Sequence, residues 1–369
     1  MEWSFSVSGL AADLVFRFQS NYNMRGPAAL CPWKAKVMSQ SLRFGVCYDF
    51  RNPPDSGIPT RRLFAEALDQ IAWLDGLGLD LVWFSEHHFV NDGYLPSWIP
   101  VASAAAMRTG RVRFSCDVCL LPFNHPVRLA EDLAVLDNLS RGRVDVGIGM
   151  GYAPHEFRGF GMPVGRRLSL TEEGLEVLKL CFAGDRFSYQ GRRYEFNDVL
   201  VTPGYVQEGG PPLWIAAMSE AGAHRVARFD GHLLPQGSRE HSLDPWLEDL
   251  ESSGRDPADY RIGIIRGVLV TDDRERDWPP VRDSERYRME LYKRFFAESG
   301  QVVGQGQPIS QRWVVGDVDE CVAELTAFIT EFGITDLVTW GAPPGLSPEQ
   351  MNRSLERYAT EVVPRLKSG

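Results

Sequence analysis

Lysine is scarce in this sequence. The 369-residue chain holds only Lys34, Lys36, Lys179, Lys293 and Lys367, and its other cations are dispersed arginines outnumbered by carboxylates. A net charge of -10 without a basic stripe argues against a nucleic-acid partner. No apolar run approaches the roughly 18 residues that a membrane-spanning helix needs, so no membrane association is expected. The first residues lack a basic n-region, and Glu2 and Asp13 flank their one short apolar stretch. No secretory leader is expected there, and the expected compartment is the cytoplasm. Residues 1–41 read as a poorly ordered extension ahead of a single unit, 42–369.

Cysteine is also thinly spread. The residues Cys31, Cys47, Cys116, Cys119, Cys181 and Cys321 sit mostly inside apolar segments, which excludes a disulfide framework as the organising device. Cys116 and Cys119 match C-x-x-C, but they lie in "VRFSCDVCLLP", which reads as a strand. Positions three apart on a strand point to opposite faces, so the pair is read as structural. There is no second cysteine pair and no HExxH, and no metal site is expected.

What is present is alternation. Short β-like runs (42–48, 79–85, 112–122, 143–151, 212–218, 231–237, 261–271, 334–340) alternate with amphipathic runs (60–78, 100–108, 125–142, 166–182, 219–229, 318–333, 347–366). About eight strands, nearly all followed by helices, predict an α/β fold, a single (β/α)8 barrel. A polar Arg/Asp-rich segment, 272–315, with one helical piece near 284–298, reads as an insertion or lid before strand 8. The competing doubly wound sheet needs G-x-G-x-x-G leading from strand into helix. The nearest approach, Gly147, Gly149 and Gly151, has Tyr152 where the pattern continues, and "YAPHEFRGFGMP" after it reads as no helix.

Barrel sites are built at the carboxyl ends of the strands. That rule gathers Tyr48, Asp49 and Phe50, then Glu86, His87, His88 and Phe89. It adds Phe123, Asn124 and His125, then Gly149, Met150, Gly151 and Tyr152, and finally Met218, Ser219 and Trp340. Such a mouth, aromatic with few charges, suits a planar ring and an apolar substrate. Of the adjacent histidines, alternation turns one toward the mouth and one into the wall, and either could serve acid–base chemistry or structure.

The segments "EHHF" (86–89), "LLPFNHPVRLAEDLAVLDNLSRGRVDVGIGMG" (120–151), "PPLWIAAMSEAG" (211–222) and "VVGDVDECV" (314–322) resemble the bacterial luciferase-like flavin monooxygenases over about 42–366. The resemblance implies a flavin at the barrel mouth and makes His87 the match to the catalytic histidine of the luciferase α-type subunit, with His88 facing the wall. It implies a flavin ring packed at the end of strand 3 around Cys116, Asp117 and Val118, with a non-prolyl cis peptide at Asp117–Val118, and beside Gly149. It implies phosphate binding at the start of the helix after strand 5, by Met218, Ser219 and Gly222, assisted by Arg167. A helix N-terminus with small residues is physically suited to a phosphate dianion, although Ser219 and Glu220 also read as an ordinary N-cap and first turn. The chain departs from the pattern at Asp117, where a small residue is expected, and at Gly149 and Met150, where the luciferase α subunit carries cysteine and arginine.

The resemblance further implies a two-component monooxygenase. Reduced FMN would come from a separate flavin reductase, react with O2 to a C4a-peroxyflavin, and oxidise a small apolar substrate such as an aldehyde. Two alternatives stand beside it: an F420-dependent hydride-transfer oxidoreductase, and a non-catalytic flavin-binding or partner subunit. A homodimer through the helices after strands 2 and 3 is expected by the same analogy.

Overall fold

The computed structural model of the chain describes residues 40–300 and 313–368. The expectation for residues 1–41 thus falls almost entirely outside the described residues. Eight parallel strands form the frame: β1 (Arg43–Tyr48), β2 (Leu81–Phe84), β3 (Arg113–Cys116), β5 (Val146–Gly149), β8 (Leu213–Ala217), β9 (His232–Pro235), β10 (Gly263–Ile265) and β13 (Asp336–Trp340). They form two curled sheets, one in the order β10-β13-β1-β2-β3, the other running β4 (Cys119–Leu120), β5, β8, β9. Single parallel bridges, Phe114 to Val144 and Leu233 to Ile262, join the sheets at their two seams. The third strand changes partners partway. β3 pairs with β2, and beyond the Asp117–Val118 peptide, which is cis, β4 pairs with β5.

Helices cover the outside: α1 (Thr60–Leu77), α2 (Trp98–Ala106), α3 (Pro126–Ser140), α4 (Pro154–Gly159), α5 (Arg167–Phe182), α6 (Glu220–Arg228), α7 (Asp244–Ser252), α8 (Arg274–Ser299), α9 (Val318–Phe332), α10 (Pro348–Arg357) and α11 (Val363–Ser368). Their starts follow local chemistry. Pro126 stands in the first turn of α3, where its missing N–H has no bond to lose. Asp317 and Glu320 close a capping box on α9.

Two apolar layers hold the frame. One lies between strands and helices, and the other fills the interior with Cys47, Leu81, Trp83, Trp214, Leu234, Val338 and Trp340. Gly263 is required in the second, because a Cβ there would overlap Trp83. At the amino-terminal end, Arg43 and Arg261 both reach Asp336, at 2.5 and 2.6 Å, while Arg113 reaches Asp145 at 2.5 Å. That belt leaves the opposite end free for a site.

Three readings need correction. The run 261–271 is not one strand: it breaks at Arg266 and Gly267, and β11 (Val268–Val270) leaves to pair with β12 (Val314–Gly316). Trp313 lies where a Cβ on Gly267 would point, so the bend fits only glycine. The helix near 284–298 begins ten residues earlier, at Arg274, where Asp273 caps it, and it runs through Pro279 and Pro280, which lie inside it. "YAPHEFRGFGMP" does contain a helix, α4, started by Pro154. The hairpin-like excursion is present as β6 (Phe187–Gln190) antiparallel to β7 (Glu195–Val199).

Candidate functional site

The mouth is organised by four elements: the loop after β2, the bend after β3, α4 after β5, and α8. In the first, the chain leaves β2 through Ser85 and Glu86 with His87 and His88 both buried. Their rings part. His87 lies among Tyr94 (4.8 Å between ring centroids), Phe295 (5.1 Å), Tyr152 (5.8 Å) and Tyr292 (6.1 Å). His88 turns toward Phe160 (4.8 Å) and Phe123 (5.6 Å).

A carboxylate holds each histidine. His87 Nδ1 lies 2.8 Å from Glu156 Oε1, and the same oxygen accepts the backbone N–H of His88 at 2.8 Å. Glu86 Oε1 lies 3.1 Å from His88 Nε2 and accepts Leu120 N at 3.3 Å. Glu156 is fully buried, and its second oxygen has no partner among the described residues. With Nδ1 engaged by an acceptor, the Nε2 of His87 is the ring nitrogen left for other chemistry. The expectation that His88 faces the wall changes in detail. Its ring lines an outer groove of about 780 Å³ between α2 and α3, with Phe123, Asn124, Arg128, Val135 and Phe160.

Helix α8 lies across the mouth. Tyr94 Oη is 2.7 Å from Ser85 Oγ and 2.9 Å from Tyr292 Oη, and Tyr287 donates to Asp92 at 3.1 Å. Arg288 is buried with its guanidinium 3.5 Å above the Trp340 ring and 3.4 Å from Asp49. Arg51 pairs with Asp92 at 2.7 Å. His155 of α4 meets Glu298 of α8 at 3.1 Å, and Arg158 pairs with the same carboxylate. Burial pushes the Tyr292 phenol up to about 12 and also raises Tyr94 and Tyr152, so all three are neutral hydrogen-bonding groups at ordinary pH.

The bend after β3 brings Asp117 and Val118 to the mouth floor. Val118 rests against Gly149, where any Cβ would overlap it. Asp117 accepts from Gln236 Nε2, which follows β9, at 3.0 and 3.3 Å. Burial pushes its carboxyl up to about 7, the Gln236 contact opposing weakly. Cys116 stands behind it, fully buried in the sheet–helix core.

The third group lies at the start of α6. Ser219 caps the helix, its Oγ accepting from Gly222 N at 3.3 Å, and Met218 and Ser219 are exposed. A Cβ on Gly222 would stand 3.3 Å from Ala217 Cα, so the tight turn favours glycine. Arg167 opens α5, and its guanidinium has no carboxylate partner among the described residues. Glu172 of α5 meets Arg225 of α6 at 3.2 Å. The same carboxylate oxygen meets Arg228 at 3.2 Å, so α5 and α6 are tied side by side.

Sequence reading missed Glu156, because its segment was taken as a loop, and missed Tyr292, Phe295 and Arg288, which approach from 200 residues downstream. The spacing of Pro154 and Glu156, a proline followed by an acidic residue in a first turn, was the available signal for α4. Among the described residues no cluster could hold a metal ion, and no helix is long and apolar enough to cross a membrane.

The luciferase-like monooxygenase family model matches residues 42–336. The 4-hydroxyprotoasukamycin monooxygenase of Streptomyces nodosus subsp. asukaensis is 28% identical over 324 residues, 81% of this chain and 85% of that protein. The F420-dependent glucose-6-phosphate dehydrogenase of Amycolatopsis mediterranei is 27% identical over 319 residues, 79% and 91% of the two chains. The uncharacterized protein y4vJ of Sinorhizobium fredii is 28% identical over 218 residues, and there the match spans 56% of this chain and only 61% of that protein. In structure, the monooxygenase RslO1 of Streptomyces bottropensis is similar at a TM-score of 0.75 and 26% identity, covering 88% of this chain and 99% of that one.

Proposed function

Because the chain belongs to the luciferase-like monooxygenase family, we propose that it is the oxygenase component of a two-component system that uses reduced FMN and O2 to oxidise a small apolar substrate such as an aldehyde. The observation that carries this reading is the buried His87–Glu156 pair, 2.8 Å apart and enclosed by Tyr94, Tyr152, Tyr292 and Phe295 at the barrel mouth.

The residues present fit an FMN. Val118 against Gly149 offers an apolar bed, and the start of α6 offers N–H groups and a positive helix end to a phosphate. Met218, Ser219, Gly222 and Arg167 would hold that phosphate, with the arginine adding a charge-assisted contact. Asp117, Val118 and Gly149 would bed the ring, whereas Cys116 lies behind them in the sheet–helix core and would not touch it. Bound reduced FMN supplies the activation of O2, and a separate flavin reductase supplies the reduced cofactor.

The protein's own work is proton management and exclusion of water. His87, oriented by Glu156, accepts or returns a proton at Nε2, a contribution typically worth about 10²–10⁴-fold. The aromatic enclosure and α8 keep solvent from the ring. We read 272–315 as a lid whose opening admits substrate and whose closure brings Tyr292 and Phe295 onto His87. Residues 301–312 of that segment lie outside the described ones. A second copy of the chain covers the groove between α2 and α3, where Val135 and Leu139 are exposed.

The deciding experiment is an anaerobic titration with reduced FMN and with reduced F420, followed by mixing with O2 and an aldehyde panel. FMN binding with oxygen-dependent product supports the monooxygenase. Tight F420 binding with oxygen-independent turnover would replace it with hydride transfer, the reading one of the relatives' names supports. Binding without turnover of any kind would leave a non-catalytic flavin-binding subunit.

A further inference from the structure

The buried acids at the mouth are paired, with one exception. Asp49 meets Arg288, Asp92 meets Arg51, Glu86 meets His88 and Glu156 meets His87. Among the described residues Asp117 meets only the neutral side-chain amide of Gln236. Its position is equally distinctive. It stands at the bend where the third strand changes sheets, and Gln236 follows β9 in the far part of the other sheet, so the contact spans the floor of the mouth.

We propose that Asp117 is a protonatable floor for the cofactor ring, neutral whenever flavin is bound, so that above neutral pH flavin binding takes up one proton at this carboxyl. The inference rests on the flavin reading above. The physical argument is desolvation. An ionised carboxylate with a single neutral donor is already expensive to bury, and a flat ring laid over it removes the remaining access to water. Protonation removes that penalty. The floor then offers an O–H donor, and a reduced ring carrying negative charge meets no opposing charge.

Among the described residues the neighbours of Asp117 supply no compensating cation. Cys47 of β1 and Cys116 of β3 are buried thiols, both raised by burial and further by Asp117. Arg288 of α8 is engaged by Asp49 and Glu285. Trp83, Trp214 and Trp340 bring no charge to the interior beneath. The proton balance is simple: the carboxylate, a solvent proton and free flavin give the carboxylic acid with flavin bound. No bond to the flavin forms and no electron moves.

The test measures the affinity of the full chain for oxidised FMN, whose ring is uncharged in this range, from pH 5.5 to 9.5. Wild type and Asp117→Asn are compared, the amide being a permanently neutral isostere. The titration of the FMN phosphate is common to both proteins and cancels. Wild-type affinity relative to the variant should be level below about pH 7 and then fall by about tenfold per pH unit. Calorimetry at pH 8.5 in two buffers of different ionisation enthalpy should show close to one more proton taken up by the wild type than by the variant. Infrared difference spectra of the wild type alone provide a measurement that does not depend on the variant folding: a protonated-carboxyl band should appear on adding FMN at pH 8.5. Identical pH profiles and proton uptake in the two proteins, or no such band, would overturn the proposal while leaving FMN binding intact. Failure of both proteins to bind FMN at every pH would instead overturn the cofactor reading, and this inference with it.

Discussion

Glu156 Oε1 serves two adjacent residues at once, lying 2.8 Å from the Nδ1 of His87 and 2.8 Å from the backbone nitrogen of His88. One oxygen therefore fixes both the ring that lies in the aromatic enclosure and the turn that presents it. Both contacts fall on one oxygen, so a change at residue 156 disturbs the ring and the turn together. Glu156, carried by α4, is the residue that orients His87.

Glu156→Gln keeps the volume and removes the charge. The chain should fold and bind flavin, while product formation falls about 10–100-fold, since the ring loses the acceptor that orients it. Product yield per flavin and FMN affinity measured side by side check this; an unchanged yield with unchanged affinity would reduce Glu156 to a packing role.

His87→Ala should retain the fold and FMN binding but divert reducing equivalents into hydrogen peroxide. The measurement is the ratio of product to peroxide per flavin consumed. A ratio equal to that of the wild type would remove His87 from the chemistry.

Arg167→Ala should weaken FMN binding by about tenfold, the usual scale for one charge-assisted contact, and leave riboflavin binding unchanged. Ser219→Ala should cost about 1 kcal/mol of stability through loss of the cap, whatever its part in phosphate binding. Equal weakening toward FMN and riboflavin in Arg167→Ala would place the phosphate elsewhere.

Asp117 also makes stability depend on pH in the free protein. Its folded pKa of about 7 stands above the ordinary value of 3.8. Between those values the folded state holds a proton that the unfolded state has released, so stability falls as pH rises from about 4 to about 7 and levels off above. Asp117→Asn should remove this contribution, on the order of a few kcal/mol, so that its stability relative to wild type grows across that window. Denaturant melts at pH 4.5, 6 and 8 measure it.

His232 acts in the opposite sense. Burial lowers it to about 4, and its Nδ1 accepts the backbone N–H of Arg261 at 3.2 Å, which requires a neutral ring. The unfolded state takes up a proton below about pH 6.5 while the folded state stays neutral until about 4, so stability declines as pH falls through that window. His232→Asn should be less acid-sensitive than wild type in the same melts, and an unchanged acid limb would sink the assignment.

Much of the frame was legible because it is locally encoded. The alternation of apolar runs marked the parallel strands, glycines and capping residues marked most helix ends, and "EHHF" after a strand marked the mouth. Where a backbone had to bend for a distant partner, the reading failed. Nothing near Gly267 announces Trp313, and nothing in "YAPHEFRGFGMP" announces that its helix must deliver a carboxylate to β2.

The sequence by itself determined which residues are apolar, how they repeat, and therefore that strands alternate with helices and end in a histidine pair. Only the tertiary structure decided which carboxylate each histidine meets, that α8 lies over His87, and that Asp117 is buried with a lone amide for company. The reason is physical: periodicity acts between residues a few positions apart, whereas burial and charge pairing are set by chain segments that folding brings together from far along the sequence.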